Sequence, residues 1–524
     1  MNLLKSTGTI AGLTLLSRVF GFARDILLAR VVGAGVAADA FQLAFRLPNT
    51  FRRLFAEGAF SVAYVPMFAR KLHGDGGQAE AEQFSRDVLS VFVWVLLAFT
   101  GVFLIIMPWF VYALASEFQN TPGKFELAVE LSRLTFPYIF FISLVSLLTG
   151  ILNSMSRFGP GASAPVLFNL TLIAGVLIGG ALRPAAGNDA IVVQTLAIFV
   201  SLSGVVQLVW LWWFLRRSGF SLKISKPKLT PDVRELGRII LPATFGAGIY
   251  QISQFVDTFF ATRLPTGSLT HLAMADRLNQ MPLGVIGIAL GTAILPALSK
   301  HIIQGDEDGA QDLQGQAIEL ALLLTLPAAV ALAICAPPMV DAFFVGGRFT
   351  PEDGRITAAV LQTIVLGLPA YVLVKILTPG FFARKDTRTP VWTALAALAV
   401  NVVLITVLIG PFGITGLVAA GAAAAWFNTV LLYLILRARG HYRLQGRVLG
   451  RILRQLVATA LMAGVLVGGV VLLTPLLAGG TLAKLIAVGL LVGSGLAVYG
   501  AAAWLLGAVD KDQILLLLRR RKVT

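Results

Sequence analysis

From Val88 to Ala115 the chain carries no charged residue. A run of that length exceeds the roughly 20 apolar residues that a helix needs to cross a bilayer. Comparable runs recur along the sequence, near 9–32, 35–58, 88–114, 126–152, 161–182, 189–215, 235–262, 269–298, 315–338, 356–382, 389–409, 413–437, 450–475 and 482–507. Fourteen runs of this kind predict an all-α polytopic membrane protein. With 57% hydrophobic and 13% charged residues and a mean hydropathy of +0.83, a soluble domain is excluded. The short alternating segments of a membrane β-barrel are not seen.

Charge follows the runs. One set of alternate connections holds Arg70, Lys71 and Arg86, then Arg157, then the stretch from Arg216 to Arg234, then Lys300, Arg384–Arg388 and Arg437–Arg447. The opposite set holds little beyond Lys124, Arg183, Arg263, Arg348, Arg355 and Lys484. The asymmetry predicts both termini in the cytoplasm. It also accounts for the net charge of +16 without a nucleic-acid partner. The first run is interrupted by charge and lacks a small-residue cleavage site, so no cleavable signal peptide is expected. The single Cys335 excludes an intramolecular disulfide. The four scattered histidines suggest no metal site.

A weak repeat is present. Asp25 and Asp257, Pro137 and Pro369, and Asn169 and Asn401 are each separated by 232 positions. Six runs per half give two halves of like orientation, related by an axis along the membrane normal. The expected division is an N-terminal lobe at 1–218, a C-terminal lobe at 219–445, and the last two runs with a basic tail at 446–524.

The first two runs are not clean lipid-facing helices. "SRVFGFARD" places Arg18, Arg24 and Asp25 inside the first. Arg18 and Asp25 share a helical face. "AADAFQLAFRLPNTFRRLFAEG" places Asp39, Arg46 and Arg53 seven apart, with Asn49, Arg52 and Glu57 beside them. In the eighth run, "ADRLNQMPLGVIGIALGTAILP" supplies Asp276 and Arg277. A charge at bilayer depth costs at least about 2.5–3.5 kcal/mol. These groups must therefore pair, line water, or bind something charged. Static pairs such as Arg18–Asp25 or Arg53–Glu57 answer for individual residues. For the set, arginines outnumber carboxylates, and an excess of guanidinium points to an anionic ligand with phosphate oxygens suited to its fork. Asp257, alone in "QISQFVDTFFAT", is a candidate for proton or cation coupling. "RFTPEDGR" and "ARKDTRTP" read as solvated loops. No Walker loop, nucleophile elbow or metal-spaced cluster suggests an enzyme.

"SRVFGFARD", "ADAFQLAFRLPNTFRRLFAEGAFSVAYVP", "ADRLNQMPLGVIGIALGTAILPALSK" and "PGFFARKDTRTPV" resemble the MurJ (MviN) lipid II flippases of the multidrug/oligosaccharidyl-lipid/polysaccharide exporter superfamily. The resemblance covers essentially the full chain. It implies two six-helix lobes around a central cavity, with the last two helices forming a groove for a lipid tail. It implies transfer of an undecaprenyl-diphosphate-linked peptidoglycan precursor from the cytoplasmic to the periplasmic leaflet of the bacterial inner membrane. By this resemblance Arg18, Arg24, Asn49, Arg52 and Arg277 are substrate-binding residues. Asp25, Asp39, Glu57 and Asp276 are gating partners. Asp257 and Asn401 are a possible site for a coupling ion, although Ile405 offers no second carboxylate one turn on. No cofactor is expected beyond such an ion, Na+ or H+, or the membrane potential. The expected partners are lipid II and membrane lipids, with the protein a monomer. The rivals are an exporter of another polyprenyl-linked oligosaccharide or of drugs on the same fold, a membrane scaffold for envelope assembly, and an integral-membrane enzyme acting on prenyl phosphates.

Overall fold

A computed structural model describes residues 3–52, 59–186, 188–223 and 225–509. Those residues are almost wholly helical. The helices are α1 (Leu3–Val32), α2 (Val36–Arg52), α3 (Ala59–Leu72), α4 (Gly77–Ala115), α5 (Lys124–Thr135), α6 (Tyr138–Ser154), α7 (Phe158–Ala186), α8 (Ala190–Arg217) and α9 (Pro231–Ala261). They continue as α10 (Ser268–Ile303), α11 (Glu307–Phe343), α12 (Pro351–Ile364), α13 (Leu368–Phe382), α14 (Arg388–Ala438), α15 (Gly446–Leu472), the single turn α16 (Thr474–Leu477) and α17 (Thr481–Leu505). Among the described residues, nine helical stretches are long and apolar enough to span a bilayer.

Local chemistry sets the helix ends. Thr230 caps α9 through the amide of Val233, with Pro231 in the first turn. Thr350 and Asp353 form a reciprocal capping box at α12, so "RFTPEDGR" is a built helix start and not merely a solvated loop. "ARKDTRTP" is built as well. Asp386 accepts from the Thr389 amide and hydroxyl and from Arg439. The runs at 389–409 and 413–437 are two helices, together labelled α14, that meet at a kink where Gly413 (φ 54°, ψ −128°) leaves the helical conformation for one that strongly favours glycine. Arg70 and Lys71 lie in the last turn of α3.

The chain forms two compact units. The first comprises 1–270 with Gly347–Phe349, and the second comprises His271–Gly346 with Thr350 onward. In the first unit, α7 packs against α1 and α8, and α2 packs against α5. A Cβ added at Gly175 would stand 2.7 Å from Phe199, and one at Gly179 would stand 3.0 Å from the Val192 backbone. Small residues thus let α7 and α8 approach closely, where no hydrophobic force drives helices together inside lipid. Phe51, Phe99, Phe103, Phe110, Phe136 and Phe255 form a connected ring cluster. In the second unit α11 is central, packed by α12, α13, α15 and α17. Three polar ties hold the last two long helices to it. Arg451 donates to Glu319 at 2.6 Å, Gln455 donates to the Glu319 carbonyl at 3.1 Å, and the Tyr499 hydroxyl donates to the Leu323 carbonyl at 2.6 Å. Cys335 is buried in the same core.

Candidate functional site

Two polar nodes lie inside the first unit. The first is built on α1. Arg24 and Asp25 are both buried, at 6% and 3% exposure. The Arg24 Nε and one terminal nitrogen donate to Asp25 Oδ1 at 3.0 and 2.7 Å. The other terminal nitrogen donates to Asn169 Oδ1 on α7 at 3.0 Å. Asn169 is held in turn, because its Nδ2 donates to the Ser17 carbonyl at 3.0 Å. The guanidinium lies 5.8 Å from both the Phe45 and Phe168 ring centroids, within cation–π range. The node therefore fixes an arginine between two aromatic rings, one neutral amide and one carboxylate. Gly21 leaves the space that Asn169 occupies, since a Cβ there would stand 3.3 Å from the Asn169 side chain.

The second node is built on Asp39 at the start of α2. Its Oδ2 accepts from Lys124 Nζ at 3.1 Å and from the Gly267 amide at 2.7 Å. Its Oδ1 accepts from the Thr270 amide at 3.2 Å and hydroxyl at 3.0 Å. Asp39 thus caps the N-terminus of α10 from a different helix, where orphan amides and the helix dipole favour an anion. Lys124 is 3% exposed and lies 4.3 Å from the Phe118 ring centroid.

The other expected residues are placed as follows. Arg18 is exposed, and the Arg18–Asp25 pair is not formed: the adjacent Arg24 reaches Asp25 by folding back along the helix. Asn49 donates to the Phe45 carbonyl, one turn back, at 3.2 Å. Arg46 donates to Thr258 on α9 at 3.2 Å, next to the half-buried Asp257. Arg52 is half-buried at the end of α2. Arg53 and Glu57 lie outside the described residues. In the second unit, Asp276 accepts a hydrogen bond from Gln280, Arg277 is half-buried beside it, and Asn401 is 5% exposed on α14.

Asn169, Lys124 and Thr258 were not among the expected site residues. Asn169 was visible as an amide inside an apolar run and as the repeat partner of Asn401. The sequence places Lys124 in an ordinary connection. Its burial depends on Asp39, 85 positions away, and no local pattern announces it.

The geometry leaves α1 and α2 rich in guanidinium. The described parts of these helices carry five arginines, Arg18, Arg24, Arg30, Arg46 and Arg52, against two carboxylates, Asp25 and Asp39, and Asp39 pairs with Lys124. The family profile described as "Lipid II flippase MurJ" matches residues 28–488. The chain belongs to the lipid II flippase MurJ family. It is 42% identical over 468 residues to a probable lipid II flippase MurJ of Rhizobium meliloti, covering 89% of this chain and 86% of that one. A probable lipid II flippase MurJ of Rhizobium tropici is 38% identical, over 100% and 98% of the two chains. A MurJ of Burkholderia cenocepacia, named as a lipid II flippase, is 37% identical over 84% and 85%. Among solved structures, a lipid II flippase MurJ in an inward-closed conformation superposes with a TM-score of 0.74 at 22% identity, over 94% and 97% of the chains. An inward-facing multidrug resistance MATE family transporter superposes at 0.67 and 15% identity, over 82% and 97%. At those identities the structural likeness speaks for the fold, and the MurJ assignment rests on the sequence relatives.

Proposed function

We propose that this protein translocates lipid II, the undecaprenyl-diphosphate-linked peptidoglycan precursor, from the cytoplasmic to the periplasmic leaflet. The observation that carries the reading is the Arg24 node, in a chain of this family. A buried arginine is fixed within a pair of helices whose arginines outnumber their carboxylates. Arginine's planar fork suits a diphosphate, which offers several oxygens to bidentate donors. Binding of the anion offsets the cost of holding excess positive charge at bilayer depth.

Arg24 is the diphosphate anchor, assisted by Arg18, Arg52 and Arg277, with Asn49 available to the headgroup. Asp25 competes with the ligand for Arg24. It holds the guanidinium in place when no cargo is present and takes it back after release. Two lobes rock about the bound headgroup while the prenyl chain stays in lipid, and the apolar outer faces of α15 and α17 support the tail. Both termini are cytoplasmic, fourteen crossings are used, and the protein acts as a monomer in the inner membrane. The membrane potential supplies about 2.3 kcal/mol per charge per 100 mV. A cation held near Asp257 or Asn401 is the alternative drive.

The test is a leaflet-accessibility assay on Arg24→Ala and Arg277→Ala, with direct binding of lipid II, undecaprenyl phosphate and a cationic dye. The reading requires loss of flipping in both variants and preference for the diphosphate. Unimpaired flipping in both removes the site. Tighter binding of the dye favours the second reading, a drug exporter, which the shared fold with MATE transporters makes the nearest rival.

A further inference from the structure

The connection between α11 and α12 does something its composition does not advertise. Its central residues, Gly347–Phe349, pack as part of the first unit, although the helices on either side belong to the second. They sit on the C-terminal end of α1. The Arg348 amide donates to the Arg30 carbonyl at 2.9 Å. That carbonyl belongs to the last turn of α1, where four C=O groups have no partner within the helix. The next one, Val31 O, accepts from the Arg183 guanidinium, and Gly33 N closes on Ala29 O at 2.8 Å.

The backbones meet through two glycines. A Cβ at Gly347 (φ +58°) would stand 2.3 Å from the Arg30 carbonyl oxygen. A Cβ at Gly33 (φ +80°) would stand 2.7 Å from the Arg348 carbonyl oxygen. Each position needs glycine twice over, for its left-handed backbone and for the close approach. The Arg348 side chain then reaches Asp189, at the start of α8. Asp189 also pairs with Arg183 at 3.4 Å. One carboxylate therefore joins two arginines, one carried by the loop and one capping α1. Asp189 and Arg348 are each nearly half exposed, at 44% and 46%. Exposed pairs of this kind hold weakly, and an Arg30 carbonyl released at a helix end can turn to water.

We propose that Gly347–Phe349 are a strap that seats on the end of α1 and must leave it during each transport cycle, with Asp189 as its releasable anchor. Arg30 lies six positions after Arg24 on one helix, so a seated strap immobilises the helix that carries the anion-binding arginine. A permanent tie would not need to be this polar or this exposed. The transport consequence rests on the flippase reading above, whereas the seating itself does not.

Two measurements on the full-length protein test it. In the first, Asp189→Cys and Arg348→Cys are joined by a cleavable bis-methanethiosulfonate linker of about 10 Å, and lipid II flipping is read in proteoliposomes. Cross-linking is expected to slow flipping roughly tenfold or more, and reduction to restore it. Flipping within about twofold of the reduced protein overturns the proposal. In the second, hydrogen–deuterium exchange is followed in the segment 345–350 of Asp189→Asn. Exchange is expected to quicken about threefold or more, because the Arg348 amide loses its protection; unchanged exchange overturns the proposal. If the double-cysteine protein is inert before cross-linking, the exchange result decides alone. Because exchange is read without cargo, a failure of the flippase reading is distinguishable from a failure of the strap.

Discussion

The Arg24 and Asp39 nodes are both buried ion pairs on the first two helices, yet they are built for different ends. Asp39 is saturated. Two backbone amides, a hydroxyl and an ammonium converge on its two oxygens, and backbone amides do not move independently of their helix. Among the described residues, the side chains of Asp25 and Asn169 hold Arg24, with phenylalanine rings on either flank. Side chains re-orient by rotamer change, so an incoming anion can replace Asp25 without dismantling a helix end. Burial by itself does not separate a structural charge from a functional one. The described partners of the two nodes differ in kind: backbone amides contribute at Asp39, side chains at Arg24.

Substitutions that treat the nodes alike should expose this difference. The largest effect is expected from Asp39→Ala, which strands Lys124 in a buried site and should cost about 3–5 kcal/mol, read as thermal unfolding in detergent. The double variant Asp39→Ala/Lys124→Met should recover a substantial part of that loss, and no recovery would mean that the backbone cap, not the charge, dominates. Exchanging the cations comes next. Arg24→Lys keeps the charge but loses the fork, so lipid II binding should weaken roughly tenfold or more, with a stability cost of about 1–3 kcal/mol. Lys124→Arg should cost about 1–3 kcal/mol through overpacking and leave lipid II affinity unchanged. Equal losses of affinity in the two swaps would erase the distinction. Asn169→Ala is milder, about 1–3 kcal/mol for the unpaired Arg24 nitrogen, with cargo affinity falling further than stability alone predicts.

The smallest effect lies outside both nodes and sets the background for pH work. Burial, then repulsion from Arg384, lowers the pKa of His441 below its usual 6.5. The unfolded chain therefore takes up a proton before the folded one does. Stability should fall as pH drops below about 6.5 and should level off once the folded imidazole is protonated as well. The expected shift in unfolding temperature is about 1 °C or less, and it should vanish in His441→Gln.

Much of this was legible in the residues. Apolar runs longer than the bilayer is thick leave helices as the one answer, because unpaired backbone groups cannot sit in lipid. The seven-residue spacing of charges in the second run, and the arginine excess, direct attention to α1 and α2, where Arg24 and Asp39 are buried. The repeat at 232 positions marked Asn169 and Asn401, both of which are buried, before either had a partner. Spacing pointed wrongly for Asp25, where Arg18 shares a face but the neighbouring Arg24 folds back to bind it. It was silent about Lys124, whose counter-charge is 85 positions away, and about Gly347, whose neighbour Arg30 lies on a helix more than 300 positions earlier.

By itself, then, the order of residues determined that the chain is a bundle of membrane helices, which of them hold more arginines than carboxylates, and which family it belongs to. Hydropathy, charge count and motif are properties of contiguous sequence and need no partner to be read. Tertiary structure decided which charges tie distant segments together, as Asp39 does with Lys124 and the start of α10 and Arg24 does with Asn169. That depends on donors and acceptors meeting across distant segments, and on whether those partners are rigid amides or rotatable side chains.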